Sequence, residues 1–125
     1  MRLRIVDSIT ELGPQDEGCI AVSGSHGGSS SARYAIAARP LLAVFNDAGV
    51  GRDGAGIAGL DMLQAQGLAA CAVTHASARI GEARSTLADG IIGHVNAAAR
   101  ELGLQPGQRC DAAVALVQST RRDTP

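Results

Sequence analysis

The sequence predicts an α/β fold: a small three-layer domain with a short parallel sheet built from consecutive βαβ units and helices on both faces. Three observations carry this. The runs Cys19-Ile-Ala-Val22, Leu41-Leu-Ala-Val-Phe45 and Leu68-Ala-Ala-Cys-Ala-Val73 are apolar at every position, as a strand buried on both faces reads. Stretches with helical spacing separate them, joined by short connections. That order, β-α-β-α-β-α, calls for right-handed crossovers and a parallel sheet.

In order along the chain, Met1 to Val6 alternates charge and apolar residue through Arg2, Leu3, Arg4 and Ile5, which predicts an edge strand. Ser8-Ile-Thr-Glu11 has the spacing of a capping box, cut short by Gly13-Pro14, and Gln15 to Gly18 reads as a loop. The strand from Gly18 to Ser23 opens into Ser23–Ser31, and a helix from Ala32 to Arg39 ends at Pro40. After the strand Leu41–Phe45 comes a glycine-rich turn, then a helix to Gln66 closed by Gly67. The third strand empties into Thr74–Arg84. From Thr86, the spacing of Leu87, Ile91, Val95, Ala98 and Leu102 predicts one continuous helix, ended by Gly103. A last helix runs from Asp111 to Gln118. Residues 1–118 form a single domain, and 119–125 read as a frayed tail.

At 125 residues the chain has room for one core. It is 46% hydrophobic but only 2% aromatic, so the core must be built from Ala, Val, Ile and Leu. Few aromatics and a net charge of -1 argue against nucleic acid as a partner. No charged-then-apolar leader opens the chain, and no apolar run reaches the roughly 18 residues of a bilayer span, so a cytoplasmic protein without a membrane partner is expected. The three cysteines lack CxxC spacing, and Cys19 and Cys71 lie within apolar runs, as small buried hydrophobes do.

All three polar loops leave the carboxyl ends of strands, where open α/β sheets bind ligands. The stretch Asn46-Asp-Ala-Gly-Val-Gly-Arg-Asp-Gly-Ala-Gly-Ile-Ala-Gly59 supplies Asn46, Gly49, Gly51, Arg52, Asp53 and Gly54 as binding candidates, and Asp47, where a core strand ends, as a catalytic candidate for proton transfer. Its glycines match G-x-G-x-x-G twice. The intervening Asn46-Asp47-Ala48, and the absence of an acid after the next strand, leave a dinucleotide a minor reading beside an anion cradle. From the first loop come Ser23, Ser25, Gly27 and Gly28 for binding and His26 for proton transfer. From the third come His75, again for proton transfer, with Ser77 and Arg79 to hold a carboxylate. Two histidines and two aspartates also permit a metal, without the spacing of a dedicated site. His94, between Ile91 and Val95, reads as a core or interface residue.

The expected function is therefore an acid/base enzyme, a hydrolase, isomerase or lyase with no cofactor, acting on a small carboxylate- or carbonyl-bearing substrate. The alternatives are a non-catalytic anion or nucleotide-binding module and an accessory subunit of a larger enzyme. A core so poor in aromatics gains from burying a helix face between subunits, at about 25 cal/mol per Å² of apolar surface. The chain is thus expected to be a homo-oligomer. Sedimentation at micromolar concentration checks this: the expected species is heavier than the 12.6 kDa chain, and a purely monomeric profile contradicts it.

Overall fold

The computed structural model describes residues 2–122. Five strands, β1 (Leu3–Val6), β2 (Ile20–His26), β3 (Leu42–Asn46), β4 (Ala69–Val73) and β5 (Ile92–Val95), form one sheet in chain order. The first four are parallel, and β5 runs antiparallel to β4. Helices α1 (Ser29–Ala38), α2 (Ala58–Ala65), α3 (Ala83–Asp89), α4 (Ala97–Glu101) and α5 (Cys110–Arg122) interleave with them. The chain is the three-layer α/β domain its apolar runs predict.

The two sheet faces differ in size. Ala21, Ala43, Ala70 and Ala72 point to one side with Phe45, where Ala32, Ala35, Leu60 and Leu63 of α1 and α2 pack on them. Ile20, Val22, Leu42, Val44, Cys71 and Val73 point to the other, against Ala113, Val114 and Val117 of α5. Alternation of small and large residues along a doubly buried strand sets how closely each helix layer approaches. This is how so alanine-rich a chain fills a core with a single phenylalanine.

At the edge, the exposed Arg2 and the partly exposed Arg4 share one partner. Both pair with Asp16, which is 1% exposed and sits in a 3₁₀ turn (Pro14–Asp16) where a loop was expected. The capping box at Ser8 is formed, with the Ser8 N–H on Glu11 and the Thr10 N–H on the Ser8 hydroxyl.

Two expectations need correction. Strand β2 does not end at Ser23 but runs to His26, so Ser23 and Ser25 belong to the sheet and not to a loop. The predicted helix 86–102 is instead α3, β5 and α4 in succession. Helix α3 ends at Gly90, whose backbone is extended and whose place admits no side chain, since one would collide with the Thr86 carbonyl and with Val73. Ile91-Ile-Gly-His-Val95 then pairs with β4, its β-branched residues preferring the pleated surface. Thr86 does not open a helix; it lies inside α3, its hydroxyl donating to the Glu82 carbonyl. Helix α5 continues past Gln118 to Arg122, while the end of the expected tail, 123–125, lies outside the described residues.

After β5, Asn96 binds the layers together. Its amide donates to the carbonyls of Leu60 (3.1 Å) and Leu68 (2.9 Å), and its oxygen accepts from Ala70 (3.1 Å) and Ala99 (2.9 Å). Every bonding capacity of a buried amide is thereby used. Asn96→Leu is expected to lower stability by about 3 kcal/mol or more, because four backbone groups lose their partner in a dry interior. Urea unfolding measures it, and a loss well under about 1 kcal/mol would show those groups reaching water.

Candidate functional site

The site is built on Asp47, the first residue after β3. Its N–H continues the sheet to the Val73 carbonyl at 2.8 Å. Its carboxylate is 4% exposed as part of the residue and fully engaged. Oδ1 accepts the N–H groups of Gly49 (2.8 Å) and His75 (2.9 Å), and Oδ2 lies 3.1 Å from Nε2 of His94. The His75 ring is further away, with Nδ1 3.6 Å from Oδ1. Burial pushes the Asp47 carboxyl up, but the Gly49 and His75 N–H groups and the His94 ring outweigh it, leaving it below the usual carboxylate range. An ionised carboxylate only accepts, so Nε2 of His94 carries the proton of that bond.

The turn beyond Asp47 is strained. Ala48, Gly49, Val50, Gly51, Asp53 and Gly54 all have positive φ, and Val50, at 66°, is β-branched. At the three non-glycine positions, Ala48, Val50 and Asp53, such conformations cost about 1–3 kcal/mol each and persist where the surroundings over-determine them. Asp47 supplies much of that constraint: its carboxylate holds the Gly49 N–H and its carbonyl the Val50 N–H at 2.7 Å. Gly56 then passes so close that a side chain would strike the Asp47 carbonyl.

Two grooves flank this centre. One, of about 700 Å³, is lined by Ala48, His75, Ser77, Arg79, Glu82 and Ser85 among others. The second, of about 510 Å³, contains His94, Asp53, Asp61 and Arg100. The three outlets do not share one concave surface. His26 lines a separate cavity of about 190 Å³ with Ser25, Ser30, Ser31 and Tyr34, because β2 extends past the point where its loop was placed.

The remaining candidates divide by what their atoms already hold. The Ser23 hydroxyl is buried and donates to the Val44 carbonyl at 2.8 Å; that of Ser25 accepts the Ile9 N–H at 2.9 Å. Gly27 donates to the Asn46 carbonyl, and Gly28 to Nδ1 of His26. Asn46 is buried, its amide on the Ala78 carbonyl and its oxygen on the Ala48 N–H. Ser77 accepts from Thr74 and from the Ile91 N–H while donating to the Thr74 carbonyl. Arg79 is 81% exposed and only loosely paired with Glu82, at 3.9 Å. Among the described residues, Arg52 and Asp53 form no ion pair with each other, and both are exposed.

The expected anion cradle is largely spent. The N–H groups of Ala48, Gly49, Val50, Gly51, Gly54 and Gly56 each bond within the turn. That of Gly59 goes to the Gly27 carbonyl, and α2 begins only at Ala58, beyond most of the glycines. A pyrophosphate would find few free donors here, against the dinucleotide reading. Among the described residues, no group of three or more His, Cys, Asp or Glu side chains has an arrangement that could hold a metal. None of their helices is long and apolar enough to cross a membrane.

His94 is the residue the sequence reading missed. Its signal was the β-branched, glycine-punctuated run Ile91–Val95. Read as a strand, this places His94 opposite Ala72 and level with the carboxyl end of β4.

No protein-family model, curated protein or solved structure matches the chain. The geometry alone therefore carries any functional reading.

A carboxyl held below its usual range in the folded state contributes stability above its unfolded pKa and loses it as pH falls through the folded one. Asp47 and Asp16 both belong to this class, the latter chiefly through the Gly13 N–H, offset by burial and helped by Arg4 and Arg2. Unfolding free energy is expected to fall progressively below about pH 4. Asp47→Asn should be less stable at neutral pH and show a shallower acid decline. Denaturant titrations between pH 7 and pH 2 check it; parallel wild-type and variant profiles would contradict it.

Proposed function

We propose that this chain is an acid/base enzyme acting on a small carboxylate- or carbonyl-bearing metabolite in the groove beside His75. The observation that carries the reading is a buried, ionised Asp47 placed 3.6 Å behind the His75 ring at the mouth of that groove. A carboxylate there favours the imidazolium that forms when His75 takes a proton from substrate. Arg79, exposed and held only by a long contact to Glu82, is available to a substrate anion as a two-pronged donor. Hydrolysis, isomerisation and elimination all use such a pair. His26, in its own cavity, has no part in this reading.

A non-catalytic anion-binding module is the second reading. It is favoured by Ser77, whose hydroxyl is wholly engaged by the Thr74 and Ile91 backbone and the Thr74 hydroxyl, leaving no free side-chain nucleophile at that position.

The test is turnover of a panel of hydroxy acids, oxo acids, esters and lactones, followed by proton NMR. The enzyme reading expects conversion of one class, with His75→Gln lowering kcat by about 100-fold or more and Arg79→Gln acting mainly on KM. Saturable binding without conversion across the panel would favour the binding module. Undiminished turnover in His75→Gln would remove His75 from the chemistry.

A further inference from the structure

The groove on the other side of Asp47 has a polar inventory that the His75 reading does not use. His94 lines it, 30% exposed at the side chain, with Nε2 committed to Asp47. Because that bond fixes the ring proton on Nε2, the neutral ring leaves Nδ1 as a hydrogen-bond acceptor. Nδ1 bonds nothing among the described residues. Asp53, Asp61 and Arg100 line the same groove, and among the described residues none of them forms an ion pair or a side-chain hydrogen bond. Ile57 and Pro106 give it apolar walls. Asp53 lies in the turn that follows Asp47, with φ 57°.

Neither simple ion pairs with the whole lining: a lone carboxylate meets Arg100 but also two carboxylates, and a lone ammonium meets the two carboxylates but leaves Arg100 unpaired. One small molecule bearing both charges complements this lining, its ammonium facing the Asp53 and Asp61 carboxylates and its carboxylate facing Arg100. We infer that this groove is a second ligand site, selective for a small zwitterion carrying an amine and a carboxylate. It is distinct from the groove of Arg79 and does not depend on turnover at His75.

The test uses ¹⁵N-labelled full-length protein at neutral pH, titrated separately with glycine, β-alanine, 4-aminobutanoate, acetate and methylammonium. At least one zwitterion is expected to give saturable shifts at the Gly93, Val95 and Arg100 amides, with Kd on the order of 1 mM. Acetate and methylammonium should bind at least about tenfold more weakly. Arg100→Gln, and Asp53→Asn combined with Asp61→Asn, alter exposed side chains and should weaken binding by a similar factor, whereas His75→Gln should leave it unchanged. The proposal is overturned if no zwitterion gives saturable shifts there, or if either simple ion binds as tightly. It is equally overturned if the variants bind normally, or if the shifts centre on Ser77, Arg79 and Ser85.

Discussion

A single buried carboxylate holds the carboxyl edge of this sheet together. Strand β3 is central, and the residue that leaves it must turn a chain whose next residues have mostly left-handed backbone. Such a turn does not persist without fixed anchors. Asp47 provides them by accepting from Gly49 on its own loop, from the His75 N–H at the end of β4, and from His94 on β5. Three segments distant in sequence thus converge on two oxygen atoms. A neutral side chain of the same size would make weaker bonds to the same donors, because hydrogen bonds to an ionised acceptor are roughly twice as strong.

Buried amides do similar work around it. Asn46 ties the third outlet loop to β3 through the Ala78 carbonyl, and Asn96 ties α2, β4 and α4. Neither makes the sheet; the apolar runs do that through the alternating alanine and aliphatic faces. The amides instead fix where the connecting segments lie on it, since an amide with all its bonds made has one position and an aliphatic side chain has several. The division is useful to a domain poor in aromatics, whose alanine-rich helix contacts have little shape of their own to set a register.

What the sequence made legible follows from this division. Strands β2, β3 and β4 were readable because a doubly buried strand is apolar at each position, and the outlets of β3 and β4 followed from polarity alone. Asp47 and His75 lie side by side because each follows one of two adjacent parallel strands. The segment 86–102 was misread because Leu87, Ile91, Val95, Ala98 and Leu102 satisfy a helical period by coincidence, while Gly90 and the β-branched pair Ile91-Ile92 decide for a strand through their contacts with Val73 and β4. That error hid His94. Similarly, Ser23-Gly-Ser-His26 has loop composition but strand structure: Gly24 lies where any side chain would strike the Gly81–Glu82 backbone, and Gly81 donates to its carbonyl at 2.7 Å. Contacts between distant segments settled both cases, and these are invisible to local pattern.

The position of Asp47 raises the question of whether it is a structural acid or part of a site, and the geometry shows why these are not opposites. Its backbone acceptors converge on Oδ1, whereas Oδ2 meets only the His94 ring. An asparagine placed with its oxygen at Oδ1 would keep both N–H bonds and present an amide donor at Oδ2. His94 would then have to accept through Nε2, moving its proton to Nδ1 and reversing what the ring offers the adjoining groove. The same exchange would remove the negative charge behind His75. The cost to the fold is the difference between charged and neutral acceptors; the cost to chemistry is the wrong tautomer on one side and a lost counter-charge on the other. One oxygen serves the chain and the other serves the histidine, so loss of the charge bears more heavily on the two imidazoles than on the turn.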